Sequence, residues 1–252
     1  GGEGLCSRGT IVTMLWKLAG KPTAQQGEQT GTEWNLRLVN ASHPLPQDFA
    51  IELAQIEGSE YSVDARCVDA LNRMMAHCWW EGNRPVVCSA YRTQQTQEWL
   101  FSQEVAKWLA MGLSQADAER EAAQETAVPG TSEHQAGLSV DIIDANYDKL
   151  NEHQASMPAQ KWLMEHCWEY GFILRYPTEK CEVTGIGYEP WHYRYVGKTT
   201  AAALHENGLC LEEYLETLEA VNEQEKSTGT PLRSSSAFFA EMSARVSEEK
   251  KI

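Results

Sequence analysis

The sequence predicts an α+β fold, because patterns typical of helices and of short strands follow one another without a regular alternation. The chain has 252 residues, of which 42% are hydrophobic and 23% are charged. This length and composition suit one large globular domain, or one domain with appendages. The irregular order of the elements favours α+β over a parallel α/β sheet.

Composition divides the chain into four segments. Residues 1–22 end in an amphipathic helix pattern that a Gly and a Pro close. Residues 23–33 are rich in Gly, Gln and Thr, as expected of a linker. We assign the main domain to residues 34–219 and interpret residues 220–252, which are polar and rich in Ser, Glu and Lys, as a C-terminal extension.

In the first half of the main domain, apolar spacing and capping residues indicate strands and helices. Val68, Leu71 and Met74 recur at helical spacing, and Ser114 with Asp117 forms a capping pair at the start of a helix. We expect, in order, a strand at 34–40, a helix at about 64–80, a strand at 85–88, and helices at about 93–110 and 114–126.

In the second half, the alternating, β-branched pattern of residues 138–143 predicts a strand. Pro158 suits the first turn of a helix, and Gly171 ends that helix. We expect further strands at 172–175 and 191–196 with a turn near 184–187, and helices at about 199–206 and 210–219.

Charge and cysteine content exclude several classes of protein. The formal net charge is -15 and the pI is about 4.9, so nucleic acid is not expected as a partner. No apolar run reaches the roughly 18 residues of a membrane span. A signal peptide or anchor could have been removed from this sequence, so its absence does not establish a cytoplasmic location. The seven cysteines include no C-x-x-C pair and are interpreted as buried thiols.

Four residues supply the inventory of a catalytic zinc site: His134, Asp141, His192 and Glu189. Zinc in hydrolases is held by three N or O ligands with a fourth position left for water, and a nearby carboxylate serves as the base. We interpret the two histidines and Asp141 as ligands and Glu189 as the base. Taken singly, each of these residues would more often be structural.

The spacing of these residues predicts how they meet. His134 and Asp141 are seven apart with Gly137 between them, so a loop carrying the histidine turns into a strand carrying the aspartate. His192 would come from a neighbouring strand. Pro190 argues against a helix shared by Glu189 and His192, so the glutamate must reach the site from a loop.

Several motifs carry a resemblance to a known family. They are Ser132-x-His134-x-x-Gly137-x-x-x-Asp141, Glu189-x-Trp191-His192, Tyr91-Arg92 with Gln97, and the runs Tyr170 to Pro177 and Glu189 to Gly197. Together they resemble the VanY-type D-alanyl-D-alanine carboxypeptidases, zinc enzymes that share the Hedgehog/DD-peptidase fold. The likeness spans about residues 34–219. It implies a small antiparallel sheet that carries the zinc site and is flanked by helices.

The resemblance also implies a role for individual residues. One Zn²⁺ per chain would be held by His134, Asp141 and His192, with Glu189 as the general base. Arg92 would contribute to catalysis and, with four other residues, to substrate binding. These four are Tyr91, Gln97, Ser132 and Trp191. Ser139 and Ala90 depart from the usual Ala and Gly of the family, both as small replacements.

Some nearby residues keep two interpretations. Of Trp191 and Tyr193, one could pack beneath the site while the other faces the cleft, or both could belong to the core. Arg175 and Arg194 could help to bind a substrate carboxylate, or they could serve the fold.

The expected activity is hydrolysis of the terminal D-Ala-D-Ala bond of peptidoglycan stem peptides or their precursors, by metal-activated water with a glutamate base. An L,D-carboxypeptidase acting on tetrapeptide stems is an alternative, because the catalytic motifs do not separate the two. A non-catalytic wall-binding module that keeps zinc for stability is a second alternative, and the presence of Glu189 speaks against it.

The N-terminal segment suggests a location for the protein. Residues 1–22 resemble the closing helix of an S-layer homology module, of which about the last third is present. Upstream modules of this kind would bind a wall polymer. We therefore expect an extracytoplasmic protein at the bacterial cell envelope or surface.

Overall fold

The computed structural model describes residues 34–228. The strands in this part are β1 (Leu53–Gln55), β2 (Ser62–Asp64), β3 (Pro85–Ser89), β4 (Ser139–Asp144), β5 (Phe172–Leu174) and β6 (His192–Tyr195). The α-helices are α1 (Val68–Trp80), α2 (Gln94–Ala110), α3 (Gln115–Glu125), α4 (Pro158–His166), α5 (Cys181–Thr184), α6 (Lys198–Asn207) and α7 (Leu211–Thr228). Short 3₁₀ helices span Glu152–Ser156, Cys167–Tyr170 and Thr178–Lys180.

Four strands form an antiparallel sheet in the order β3-β4-β6-β5, and β1 pairs with β2 in a separate hairpin. The two central strands place Asp141 directly opposite His192. Strand β3 contains an irregularity between Val87 and Ser89, so that Ser89 lies opposite Asp141. A bulge of this kind bends the strand and redirects the chain that follows it.

The core lies between this sheet and helices α1 and α4. Leu71, Met74 and Cys78 line one face of α1, as their spacing predicts, and all three are fully buried. They pack in one cluster with Val140 and Ile142 of the central strand β4. Because β4 is buried on both faces, its position is fixed by packing as well as by its two neighbouring strands.

Local capping agrees with the sequence analysis. The Ser114 hydroxyl accepts a hydrogen bond from the backbone N–H of Asp117 at 3.3 Å at the start of α3. Thr93 caps α2 in the same way through the N–H of Thr96. Gly171 ends the helical segment after α4 with a φ of 86°.

The strand predicted at 34–40 is wrong. This segment is a turn followed by extended chain, with an isolated bridge between Asn40 and His43. It is attached through side chains: Asn35 Nδ2 donates to the carbonyl of Val196 at 2.5 Å, and the Trp34 ring stacks on Tyr195. The apolar residues Trp34, Leu36 and Leu38 pack partly buried against the core, so the alternating pattern of this segment reflects packing of an extended chain and not strand pairing.

Other boundaries are corrected by the structure. The helix predicted from about 64 begins at Val68, because residues 62–64 form strand β2, and the short strands β1 and β2 were not predicted. The turn near 184–187 is preceded by helical residues 178–184. The helix predicted to end near 219 continues to Thr228 and so crosses the boundary assigned to the C-terminal extension.

The predicted helix at 1–22 and linker at 23–33 lie outside the described residues, as does the extension from residue 229 onward. Within residues 34–228, no helix combines the length and the apolar composition needed to cross a bilayer.

Candidate metal centre

The three predicted metal ligands meet at the centre of the four-stranded sheet. One ligand atom from each of His134, Asp141 and His192 lies within 4.8 Å of the others, and all three residues are buried. Asp141 projects from β4 and His192 from the opposite position on β6, while His134 lies in the loop before β4. The predicted loop-and-strand arrangement is confirmed.

His134 is oriented by the chain that follows the bulge in β3. Its Nδ1 donates to the carbonyl of Ala90 at 2.8 Å, which leaves the lone pair of Nε2 directed toward Asp141 Oδ2, 3.3 Å away. The backbone N–H of Arg92 donates to the His134 carbonyl at 3.2 Å. Ring and backbone are thus both fixed by residues 90–92.

The loop between His134 and Asp141 turns at Gly137. Its φ of +68° lies in the left-handed region that favours glycine. The Gly137 carbonyl accepts from the N–H of Asp64 at 2.9 Å, which ties the loop to β2. A side chain at this position would meet Ile51 and the Asp64 backbone.

Asp141 and His192 complete, with His134, a set of three metal-ligand atoms that lie close enough together to bind one ion. His192 Nδ1 lies 3.3 Å from Asp141 Oδ1, and this carboxylate oxygen is buried without a hydrogen-bond partner. A buried, unpartnered carboxylate oxygen is costly unless a cation neutralises it. Two imidazoles and a carboxylate are donors that suit Zn²⁺, and a site of three such ligands keeps a position for water.

The protonation of these groups differs because their neighbours differ. Burial and the nearby Arg92 guanidinium lower the pKa of His134 to about 4. Burial alone would lower the pKa of His192, but the nearby carboxylates of Asp141 and Glu133, 3.3 and 3.5 Å from its two ring nitrogens, outweigh burial and raise this pKa to about 9. Burial likewise opposes ionisation of Asp141, yet the two histidines hold its pKa well below the usual value.

Glu189 reaches the site from the loop before β6, as predicted. Its N–H donates to the carbonyl of Tyr176 at 3.1 Å, and its Oε2 lies 3.5 Å from His192 Nδ1. The side chain is 23% exposed. Burial raises the pKa of Glu189 to about 7, against the lowering effect of His192.

The site opens into a cleft of about 510 Å³. Of the predicted site residues, those that line this cleft are Arg92, Ser132, His134, Asp141, Glu189, Trp191 and His192. Gln97 is buried behind Arg92, and Tyr91, half-buried, donates its N–H to the Ser62 carbonyl at 2.9 Å; neither residue lines the cleft. Tyr193 is fully buried in the core while Trp191 faces the cleft, so the first interpretation of this pair holds.

Arg92 lies at the edge of the metal centre. Its Nη2 donates to Asp141 Oδ2 at 3.0 Å and to the Ser89 hydroxyl at 2.9 Å. Its Nη1 is 3.4 Å from Gln97 Oε1, and Gln97 is itself held by the Ala127 carbonyl. The guanidinium is therefore fixed beside the ligands and remains 20% exposed to the cleft.

Sequence reasoning missed Glu133, a fully buried carboxylate behind the metal centre. Its Oε1 accepts from Arg175 Nε at 2.8 Å and from Arg194 Nη1 at 2.7 Å. Its Oε2 accepts from the Ser139 hydroxyl at 3.0 Å and lies 3.5 Å from His192 Nε2. Both arginines therefore bind this carboxylate within the fold. The available signal was a charged residue beside a candidate ligand, together with two arginines in predicted strands.

Known proteins resemble this chain in sequence and in structure. The family model for VanY, D-alanyl-D-alanine carboxypeptidase, matches residues 60–198. A D-alanyl-D-alanine carboxypeptidase of Enterococcus faecalis (strain ATCC 700802 / V583) is 42% identical over 193 residues, which are 77% of this chain and 69% of that protein.

Solved structures agree. The vancomycin-resistance D,D-pentapeptidase VanY from the VanB-type cassette, determined as a variant with Zn(II), shares 41% identity and a TM-score of 0.65, over 73% of this chain and 99% of that one. The LdcB LD-carboxypeptidase shares 34% identity and a TM-score of 0.64, over 78% of this chain and 93% of that one. The predicted α+β fold of the Hedgehog/DD-peptidase type is confirmed. The family match and the 42% identity show that this chain belongs to the VanY family of D-alanyl-D-alanine carboxypeptidases.

Proposed function

We propose that this chain is a zinc-dependent carboxypeptidase that hydrolyses the terminal D-Ala-D-Ala bond of peptidoglycan stem peptides or their precursors. The observation that carries the proposal is the convergence of three buried ligand atoms within 4.8 Å, beside a carboxylate that faces the same cleft. This arrangement supports hydrolysis by an activated water molecule.

We assign the metal ligands to His134, Asp141 and His192, with one ion per chain. The unpartnered Oδ1 of Asp141 and the orientation of both imidazoles support this assignment. Bound there, Zn²⁺ would supply the activation of water and the polarisation of the scissile carbonyl.

Glu189 is the general base in this proposal. Its carboxylate lies on the cleft side of His192 and is partly exposed, so a water molecule in the cleft can reach it. Glu189 accepts the proton of the attacking water and passes it to the amine of the departing D-Ala. The position of this group favours an enzyme over a wall-binding module that keeps zinc for stability.

Arg92 is assigned to catalysis and to substrate binding. Its guanidinium offers a fixed set of donors for a carboxylate or for the charge that develops on the scissile carbonyl oxygen. Ser132 and Trp191 line the cleft and are assigned to the substrate, while Gln97 acts through Arg92. Tyr91 keeps its predicted role, although its side chain does not line the cleft.

The D,D-bond is favoured over the L,D-bond as the target. The family match and the relatives at 41% and 42% identity are D,D-enzymes by name, whereas the LD-carboxypeptidase LdcB shares 34%.

The substrate lies in the bacterial cell wall, so we infer an extracytoplasmic location at the envelope. The S-layer-like residues 1–22 support attachment to a wall polymer through upstream modules, and the division into segments 1–22, 23–33, 34–219 and 220–252 remains part of this proposal.

The test uses Glu189→Gln, with Glu165→Gln on the exposed surface of α4 as the matched control. Each protein is incubated with pentapeptide and tetrapeptide wall precursors, with and without a chelator, and the released amino acid is identified by mass. We expect release of D-Ala from the pentapeptide, sensitivity to the chelator, and a loss of roughly 10²–10⁴-fold in Glu189→Gln with zinc retained. Release from neither peptide, or release that survives complete removal of the metal, would overturn the proposal.

A further inference from the structure

We propose that Glu133 is a positioning residue that holds His192 in the orientation required for metal binding; this inference rests on the proposed function. The two nitrogens of the His192 ring face opposite partners. Nδ1 lies 3.3 Å from Asp141 Oδ1, on the side of the metal centre, and Nε2 lies 3.5 Å from Glu133 Oε2. Glu133 therefore contacts the nitrogen that points away from the metal position.

A carboxylate behind a ligand histidine fixes which ring nitrogen carries hydrogen and makes the other a better donor to the metal. His192 Nε2 is buried, and among the side chains described, those of residues 34–220, no acceptor is close enough for a regular hydrogen bond. The carboxylate of Glu133 is the group that it faces. His134 is oriented differently, through the backbone carbonyl of Ala90, so the two ligands depend on different supports.

Glu133 is itself held rigidly from three strands or strand ends. Its Oε1 is fixed by two guanidinium groups, Arg175 after β5 and Arg194 on β6, at 2.8 and 2.7 Å. Its Oε2, the oxygen nearest His192, accepts from the hydroxyl of Ser139 on β4. With both oxygens bound, the carboxylate cannot rotate away from the imidazole.

The charges of this buried cluster are balanced. Arg175 forms a two-pronged contact with Glu212 at 2.6 and 2.9 Å, and Arg194 donates to the carbonyls of Asn35 and Arg37. Two arginines thus share two carboxylates, of which Glu133 alone contacts a metal ligand. Glu212 is therefore a suitable comparison: a purely structural role would be shared by Glu133 and Glu212, whereas a positioning role for His192 belongs to Glu133 alone.

The experiment compares Glu133→Gln with Glu212→Gln. Both substitutions remove one negative charge from the same arginine cluster with little change in shape, but Glu212 does not contact His192. We expect the dissociation constant for Zn²⁺, measured by competition with a chromophoric chelator, to rise about 10- to 100-fold in Glu133→Gln. It should change by less than about threefold in Glu212→Gln. Equal losses in the two variants, or no loss in the first, would overturn the proposal.

A measurement on the unsubstituted protein remains decisive if Glu133→Gln does not fold. In the zinc-loaded protein, two-bond ¹H–¹⁵N correlation spectra show which nitrogen of His192 carries hydrogen. We expect hydrogen on Nε2 and the metal on Nδ1; the reverse assignment would overturn the proposal. If the chain binds zinc as described but releases no amino acid from wall peptides, the proposed function fails while the role of Glu133 stands.

Discussion

Replacing Gly137 by alanine should damage both stability and metal binding, and Gly58 offers a matched control. The two glycines have almost the same backbone conformation, with φ of +68° and +72°. At Gly58, in the β1–β2 turn, an added Cβ meets nothing within 4 Å. At Gly137 it would lie 3.0 Å from the backbone nitrogen of Asp64 and would also press on Ile51.

The expected loss in the free energy of unfolding has two parts, the cost of the left-handed backbone conformation and the cost of crowding around the added methyl group. A left-handed conformation costs an L residue roughly 1–2 kcal/mol, offset by about 0.4–1 kcal/mol from the less flexible unfolded chain. Both variants carry this net cost of up to about 1.5 kcal/mol. Crowding adds about 1–3 kcal/mol at Gly137 alone, because the Asp64 nitrogen belongs to the backbone of β2 and cannot turn aside as the Ile51 side chain can.

The assay is urea unfolding of both variants, with Zn²⁺ affinity measured in parallel. Because the loop that carries His134 must shift to relieve the contact, affinity should fall about tenfold in Gly137→Ala and stay unchanged in Gly58→Ala. Equal losses of unfolding free energy in the two variants would refute the argument from crowding. An unchanged affinity in Gly137→Ala would show that the loop absorbs the methyl group without moving the ligand.

Three further predictions follow from other parts of the molecule. Arg194→Met breaks a buried ion pair and removes the donor from three backbone carbonyls, so the free energy of unfolding should fall by about 3–5 kcal/mol in urea melts; a loss under about 1 kcal/mol would contradict this. Chelation of the metal should lower Tm, because free zinc at a hundredfold its Kd stabilises the native state by about 2.7 kcal/mol, and a Tm indifferent to the chelator would count against the site. Burial raises the thiol pKa of Cys167 to about 12 and of Cys210 to about 11, so alkylation of the folded protein should be slow at pH 8 and accelerate about tenfold per pH unit below those values. Rapid alkylation at pH 8, followed by peptide mass spectrometry, would show these thiols to be accessible.

The central pairing of the site was predictable because local signals determined it. Alternation and β-branching placed Asp141 on a strand, and Pro190 kept Glu189 off the element that carries His192. The start of the helix at Ser114 was also predictable, because its capping hydrogen bond joins residues only three positions apart, Ser114 and Asp117. Patterns among residues a few positions apart can be recognised directly in the sequence.

Contacts over longer range were not predictable in the same way. Glu133 meets Arg175 and Arg194 across 42 and 61 positions, and no local pattern reports such a distance. The segment at 34–40 looked like a strand because its apolar residues alternate, yet its backbone carbonyls bind the Arg194 guanidinium and not a neighbouring strand. Strands β1 and β2 have three residues each, too few for a periodic pattern to register.

The edges of the four-stranded sheet bear on how a peptide can be held. Strand β3 begins with Pro85, which has no N–H to donate, and it carries an irregular register before Ser89. The opposite edge, β5, has only three residues. Short strands, prolines and bulges are the features by which proteins prevent an extended chain from adding to a sheet. We therefore expect a bound peptide to be held by side chains around the cleft and not by main-chain pairing with an edge of this sheet. The same edge features protect the sheet from edge-to-edge aggregation.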